Sequence, residues 1–170
     1  MFNHLYLTFY KKLLYNFSAI EVNIVPLHVL GRILAIDYGR KRCGIAVTDP
    51  LKIIANGLET VVTHKLMDFI KDYISREQVE LIVIGKPTQL NGEPSESMRY
   101  IMPFVNRLKK EMPDMPIEMV DERFTSTIAH QAMIEGGMKK SDRRDKARVD
   151  TIAASIILND YLQSKQFQGL

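Results

Sequence analysis

The stretch Arg32–Asp49 constrains this chain more than any other; it reads R-I-L-A-I-D-Y-G-R-K-R-C-G-I-A-V-T-D. Two short apolar runs, Ile33–Ile36 and Gly44–Val47, are separated by Gly39, Gly44 and the consecutive cations Arg40, Lys41 and Arg42. This is the pattern of two strands around a tight turn, with glycine supplying the backbone freedom that turn requires. The first run does not alternate with polar residues. Ile33 and Ala35 fill one face and Leu34 and Ile36 the other, so the strand is covered on both sides. Asp37 ends that run. An unpaired carboxylate there is costly, so it is protonated, paired, bound to a metal, or folded back to cap its own turn.

A chain of 170 residues reads as one domain with room for a sizeable core. Its 46% hydrophobic and 25% charged residues exclude a disordered chain. A formal net charge of +3 is too small to argue for nucleic acid unless the cations cluster. The single cysteine, Cys43, fits a reducing compartment, and on a strand it reads as a small apolar filler. No window carries some 18 uninterrupted apolar residues, so no membrane partner is expected. Residues 1–29 are rich in aromatics and leucine, with Lys11 and Lys12 in their middle. They match neither a secretory signal nor a helical or strand period. They read as an ill-defined extension, with a misassigned start and true initiation near Leu30 as the expectation. Residues 30–165 form the domain and 166–170 a tail.

Further along, Ile53–Thr63 reads as the third strand of an antiparallel meander, with a turn or bulge at Asn56-Gly57. Leu66, Phe69, Ile70, Tyr73 and Ile74 recur at helical spacing, with Thr63 as a candidate cap. Leu81–Ile84 is a fully apolar run after a helix, hence a buried parallel strand, and it ends at Gly85-Lys86-Pro87. A second helix carries Met98, Ile101, Met102, Val105 and Leu108 on one face; Pro103 fits only in its first turn. Ile117–Val120 is a fifth strand, Thr125–Glu135 a helix stopped at Gly136-Gly137, and a last helix runs from near Asp145 to about Leu162. Strands and helices in that order form a mixed sheet covered by helices. Between the last two helices, Lys139, Lys140, Arg143, Arg144, Lys146 and Arg148 meet only Asp142 and Asp145. Such a run binds phosphates or is simply solvated.

Three acids sit in awkward places. On the last helix, advancing about 100° per residue, Val149, Ala153, Ile157, Asp150, Tyr161 and Ala154 fall within roughly 140°. Asp150 therefore lies inside the apolar sector, beside two alanines that permit close approach to a sheet, with Lys146 one turn back as a candidate partner. Glu122 follows the fifth strand, where ligands of parallel sheets gather. Three converging acids repel one another unless a divalent ion lies among them, and oxygen-only ligands select Mg²⁺ or Mn²⁺.

The pieces A-I-D-Y-G, V-I-G-K-P with N-G, V-D-E-R-F-T-S and D-K-A-R-V-D-T-I-A-A-S-I-I-L, from about Gly31 to Tyr161, together resemble the YqgF family. Its members are described as Holliday-junction resolvases and as pre-16S rRNA nucleases. The resemblance implies an α/β ribonuclease H-like fold: a central mixed five-stranded sheet, its first three strands an antiparallel meander, with helices on both faces. It also implies a catalytic and metal-binding triad of Asp37, Glu122 and Asp150, and a cytoplasmic nuclease of ribosome maturation. Two ions are expected, bridged by Asp37. Candidate contacts to nucleic acid are Arg40, Lys41 and Arg42 in the first turn, Lys86 after the fourth strand, and Arg123 beside Glu122. Lys139, Lys140, Arg143, Arg144 and Lys146 of the basic loop join them. Lys86 stands where the family usually has an apolar residue.

Three other activities compete with cleavage of precursor rRNA: resolution of branched DNA, RNA binding without turnover, and nucleotide binding of the actin-like or sugar-kinase kind. The last needs two lobes, which this length hardly provides. A symmetric junction calls for a dimer and an rRNA end does not, so a monomer or weak homodimer is expected.

Overall fold

The computed structural model describes residues 31–89, 93–121, 135–137 and 145–168. Strands β1 (Arg32–Tyr38), β2 (Arg42–Thr48) and β3 (Ala55–Val62) form the expected antiparallel meander. They are followed by α1 (Leu66–Arg76), β4 (Val79–Lys86), α2 (Met98–Glu111), β5 (Ile117–Asp121) and α3 (Lys146–Gln168). The sheet runs β3-β2-β1-β4-β5, with β4 parallel to β1 and β5 parallel to β4. Parallel neighbours need long crossovers, and α1 and α2 supply them.

The continuous apolar runs of β1 and β4 are explained by helices on both faces. Leu34, Ile36, Ile82 and Ile84 pack with residues of α1 and α2 such as Ile70 and Leu108. Ile33, Ala35, Leu81 and Val83 pack with Ala154, Ile157 and Leu158 of α3. Alternation along each strand thus sorts its side chains between two cores.

Several local features depart from expectation. Thr63 does not cap α1; it opens a 3₁₀ turn, Thr63–Lys65, and its hydroxyl donates to the Gly39 carbonyl at 2.7 Å. That bond ties the end of β3 to the β1–β2 turn. The irregularity of β3 falls at Leu58, one residue past Asn56-Gly57: Ile45 pairs with Glu59 while Ala46 pairs with Gly57. Pro103 sits inside α2 beyond its first turn, on an exposed side where the carbonyl that loses its partner meets water. Helix α3 continues past Leu162 to Gln168. The helix expected over Thr125–Glu135 lies outside the described residues except for Glu135, which is helical; Gly137 beyond it has φ +71°, as a stop signal requires.

Candidate active site

Asp37, next to last in β1, is half-buried, and alternation from Ile33 and Ala35 turns it toward α3. Its partner across the strands is Gly44. Directly opposed residues of an antiparallel pair project to the same face, about 5 Å apart at Cβ. Gly44 is not the turn residue its position beside the cations implies. It lies within β2, and a Cβ there would stand 1.9 Å from the carbonyl oxygen of Asp150. The missing side chain lets the α3 backbone rest on the sheet beside Asp37. Gly57 repeats the device on β3, where a Cβ would stand 2.5 Å from Cγ2 of Thr151. Ala153 and Ala154 are buried, as the helix geometry requires, and complete the contact from the other side.

The first turns of α3 are fixed by polar contacts as well. The Asp145 carboxylate accepts the Ala147 N–H at 3.0 Å, a cap for the new helix. The Thr60 hydroxyl of β3 reaches the Ala147 carbonyl at 2.7 Å and lies 3.0 Å from the Thr151 hydroxyl. Helix, strand and glycine together hold Asp150 in one place.

The Asp150 carboxylate is paired with the Nε of Arg42, not with Lys146 as its helical spacing suggests. The two side chains are 36% and 21% exposed, for Arg42 and Asp150 respectively, so the pair is partly solvated and open to competition from other ions. Cys43, next to Arg42, is fully buried in the apolar core. Burial pushes its thiol up, the nearby Asp37 and Asp150 charges push the same way, and hydrogen bonds with Thr63 and Gly39 pull it down. Both acids are thus felt at one point of β2. The thiol stays protonated and acts as filler.

A cleft of about 520 Å³ opens here, lined by Gly39, Arg40, Lys41, Arg42, Lys146 and Asp150. Four of the residues expected to hold phosphate therefore line one cleft with Asp150, although the Arg40 guanidinium itself lies over the Tyr100 ring. Lys86 is not brought to them. It pairs in register with Asp121 at the end of β4, and alternation places it with Ile82 and Ile84 on the face opposite Asp37. Glu122, Arg123, Lys139, Lys140, Arg143 and Arg144 lie outside the described residues. Among the described residues no three His, Cys, Asp or Glu side chains form a group that could hold a metal. The two acids present offer oxygen donors only, which suits a hard divalent cation once a third ligand joins them. Among the described residues no helix is long and apolar enough to cross a membrane.

Two features escaped the sequence reading. The Arg42–Asp150 pair joins positions 108 residues apart, which no local spacing reveals. The role of Gly44 did leave a signal, since a glycine inside a strand marks a close backbone approach.

A family model described as RuvX, Holliday junction resolvase, matches residues 31–164. A Phocaeicola vulgatus protein named "Putative pre-16S rRNA nuclease" is 62% identical over 138 residues, covering 81% of this chain and 99% of that one. A Flavobacterium johnsoniae protein of the same name is 54% identical over 136 residues, covering 80% and 99%. Among solved structures, Thermus thermophilus RuvC in complex with a Holliday junction substrate aligns with 80% of this chain and 96% of its own. The TM-score is 0.50 at 17% identity, a likeness of fold.

Proposed function

The chain belongs to the RuvX Holliday junction resolvase family, and from that premise we propose that it is a metal-dependent phosphodiesterase trimming the 5′ end of precursor 16S rRNA. The observation that carries this reading is the contact at Gly44. It sets the backbone of Asp150 against the strand position opposite Asp37, beside a cleft rimmed by Arg40, Lys41, Arg42 and Lys146.

In this reading Asp37 and Asp150, with Glu122 as third acid, would hold Mg²⁺ or Mn²⁺, with two ions expected. The chemistry such an ion would supply is activation of a water and stabilisation of charge on the leaving oxygen. The chain's own residues do the rest. Arg42 balances the acids' charge, and its remaining guanidinium donors hold a non-bridging phosphate oxygen. Lys146 and Lys41 meet the flanking phosphates from either rim. Arg123, Lys139, Lys140, Arg143 and Arg144 extend that contact along the nucleic acid. The protein works in the cytoplasm as a monomer or weak homodimer. Branched DNA is the second reading, since the RuvC whose fold it shares is bound to a Holliday junction.

The test is cleavage of an end-labelled 5′ fragment of precursor 16S rRNA beside a four-way DNA junction, each with Mg²⁺ or Mn²⁺. The expected result is cutting of the RNA, lost at least a thousandfold in Asp37→Asn with binding retained. Wild-type cutting by Asp37→Asn sinks the acid assignment. Symmetric nicking of the junction alone moves the substrate to DNA, and binding without cutting of either makes the protein an assembly factor.

A further inference from the structure

The β1–β2 turn has a second side. Alternation along β1 sends Asp37 toward α3 and Tyr38 toward α1 and α2. On Tyr38's side lies another cleft, of about 530 Å³, which shares Arg40 and Lys41 with the acid cleft. The turn is thus a saddle between two depressions, one on each face of the sheet.

The lining of this second cleft differs in kind. It combines Tyr38, Tyr100 and Phe104 with Arg40, Lys41 and Arg107, and no carboxylate is among the described residues that line it. The Tyr38 and Phe104 rings stand 5.0 Å apart at 30°, forming one wall. The guanidinium of Arg40 lies over the Tyr100 ring at 4.7 Å, and that of Arg99 approaches the same ring at 4.7 Å. Arg107 is held at its Nε by Glu111 at 2.6 Å, which aims the guanidinium while leaving its other donors for a ligand. Flat π-surfaces and guanidinium planes interleaved with cations are what unpaired bases and their phosphates require. A regular duplex, with its bases already stacked, has no use for such rings.

We propose that this aromatic and basic cleft binds an unpaired stretch of nucleic acid strand, whose bases stack on the Tyr100–Arg40 layer and whose phosphates pair with Lys41 and Arg107. The strand then crosses the turn into the acid cleft, so the protein selects a scissile bond flanked by single-stranded nucleic acid. This rests on the phosphodiesterase reading and adds to it the class of substrate. His64 borders the cleft as well.

The experiment uses the full chain in EDTA, so that no cleavage intervenes, with labelled single-stranded RNA and DNA oligonucleotides and the same sequence as a blunt duplex. Anisotropy should show preference for the single strands. Tyr100→Ala should weaken single-strand binding about tenfold and duplex binding less than twofold, as expected for loss of one stacking platform. Arg107→Gln should lower the salt dependence of single-strand binding by about one counterion. Equal preference for RNA and DNA makes the site indifferent to the sugar; an RNA preference adds 2′-hydroxyl recognition, and either outcome supports the site. Photo-cross-linking of a 4-thiouridine oligonucleotide to the wild-type protein removes dependence on the variants' folding. Adducts within residues 98–107 support the cleft. Adducts confined to residues of α3, or both variants binding single strands as the wild type does, overturn it. Failure of the phosphodiesterase reading looks different: wild-type protein that cuts nothing in Mn²⁺, whatever the cross-links show.

Discussion

On the α1 and α2 face of the sheet, Leu34, Ile36, Ile82 and Ile84 meet Ile70, Ile101, Val105 and Leu108, all nearly or fully buried. Where the first turns of α3 meet the other face, the sheet offers Gly44, Ala35 and Ala46, the helix Ala153 and Ala154, and backbone nearly touches backbone. Farther along, Ile33, Leu81 and Val83 meet Ile157 and Leu158. Long side chains can shift rotamer to absorb a small change, whereas two backbones in contact cannot. The face with less tolerance is the one that carries both acids. The difference teaches that the geometry of the proposed site is set by absent side chains as much as by present ones.

One carbon added or removed should distinguish the faces. Gly44→Ala places a methyl on the Asp150 carbonyl, so α3 must lift; we expect about 3 kcal/mol or more of lost stability by urea unfolding, and no cleavage from what remains folded. Stability within about 0.5 kcal/mol of wild type would break the comparison. Ile70→Val, from a fully buried position on the opposite face, should cost about 1 kcal/mol and leave cleavage per folded molecule unchanged.

A position serving neither face gives a reference. The Asp49 carboxylate accepts the N–H groups of Leu51, Ile53 and Ile54 at 3.0, 2.8 and 2.7 Å, and these bonds, Ile54's foremost, hold its carboxyl below the usual range. Its contribution is therefore complete above the ordinary Asp value near 3.9 and fades as pH falls through the lowered one. Asp49→Asn should cost about 0.5–1 kcal/mol at neutral pH, and the gap from wild type should close below about pH 4. A gap that widens in acid would mean that another group carries the effect.

The smallest change in stability is expected for Arg42→Gln, under about 0.5 kcal/mol, because its ion pair is partly solvated. Its effect should appear instead in Mn²⁺ titrations by calorimetry. With the competing cation gone from Asp150, the ion should bind several-fold more tightly while cleavage falls. Weaker Mn²⁺ binding would recast Arg42 as the group that positions Asp150, and would make the α3 face dependent on charge as well as on close packing.

Much of this was legible in the sequence because it is periodic. Helical spacing from Leu66 to Ile74 and from Met98 to Leu108, unbroken apolar runs at Ile33 and Leu81, and the sector around Asp150 all record burial directly. What was illegible depended on partners distant in sequence. Nothing local in Arg42 announces a carboxylate 108 residues away, nor does Thr63 announce that its hydroxyl serves the Gly39 carbonyl rather than a helix. Lys86 reads as a phosphate contact from its place at a strand end; which face it occupies depends on the strand's alternation, counted from Ile82 and Ile84. The aromatic cleft fell between these cases, its rings visible as residues but gathered from β1 and α2.

The order in which the chain is made gives the α3 contact a further meaning. The five described strands all precede α3 in sequence, so a nascent chain can pair them before α3 docks and sets Asp150 beside Asp37. Such a nascent chain would carry Asp37 and the cations of the first turn with no Asp150 beside them. On the proposed reading, hydrolytic competence arrives only when α3 settles onto Gly44 and Gly57.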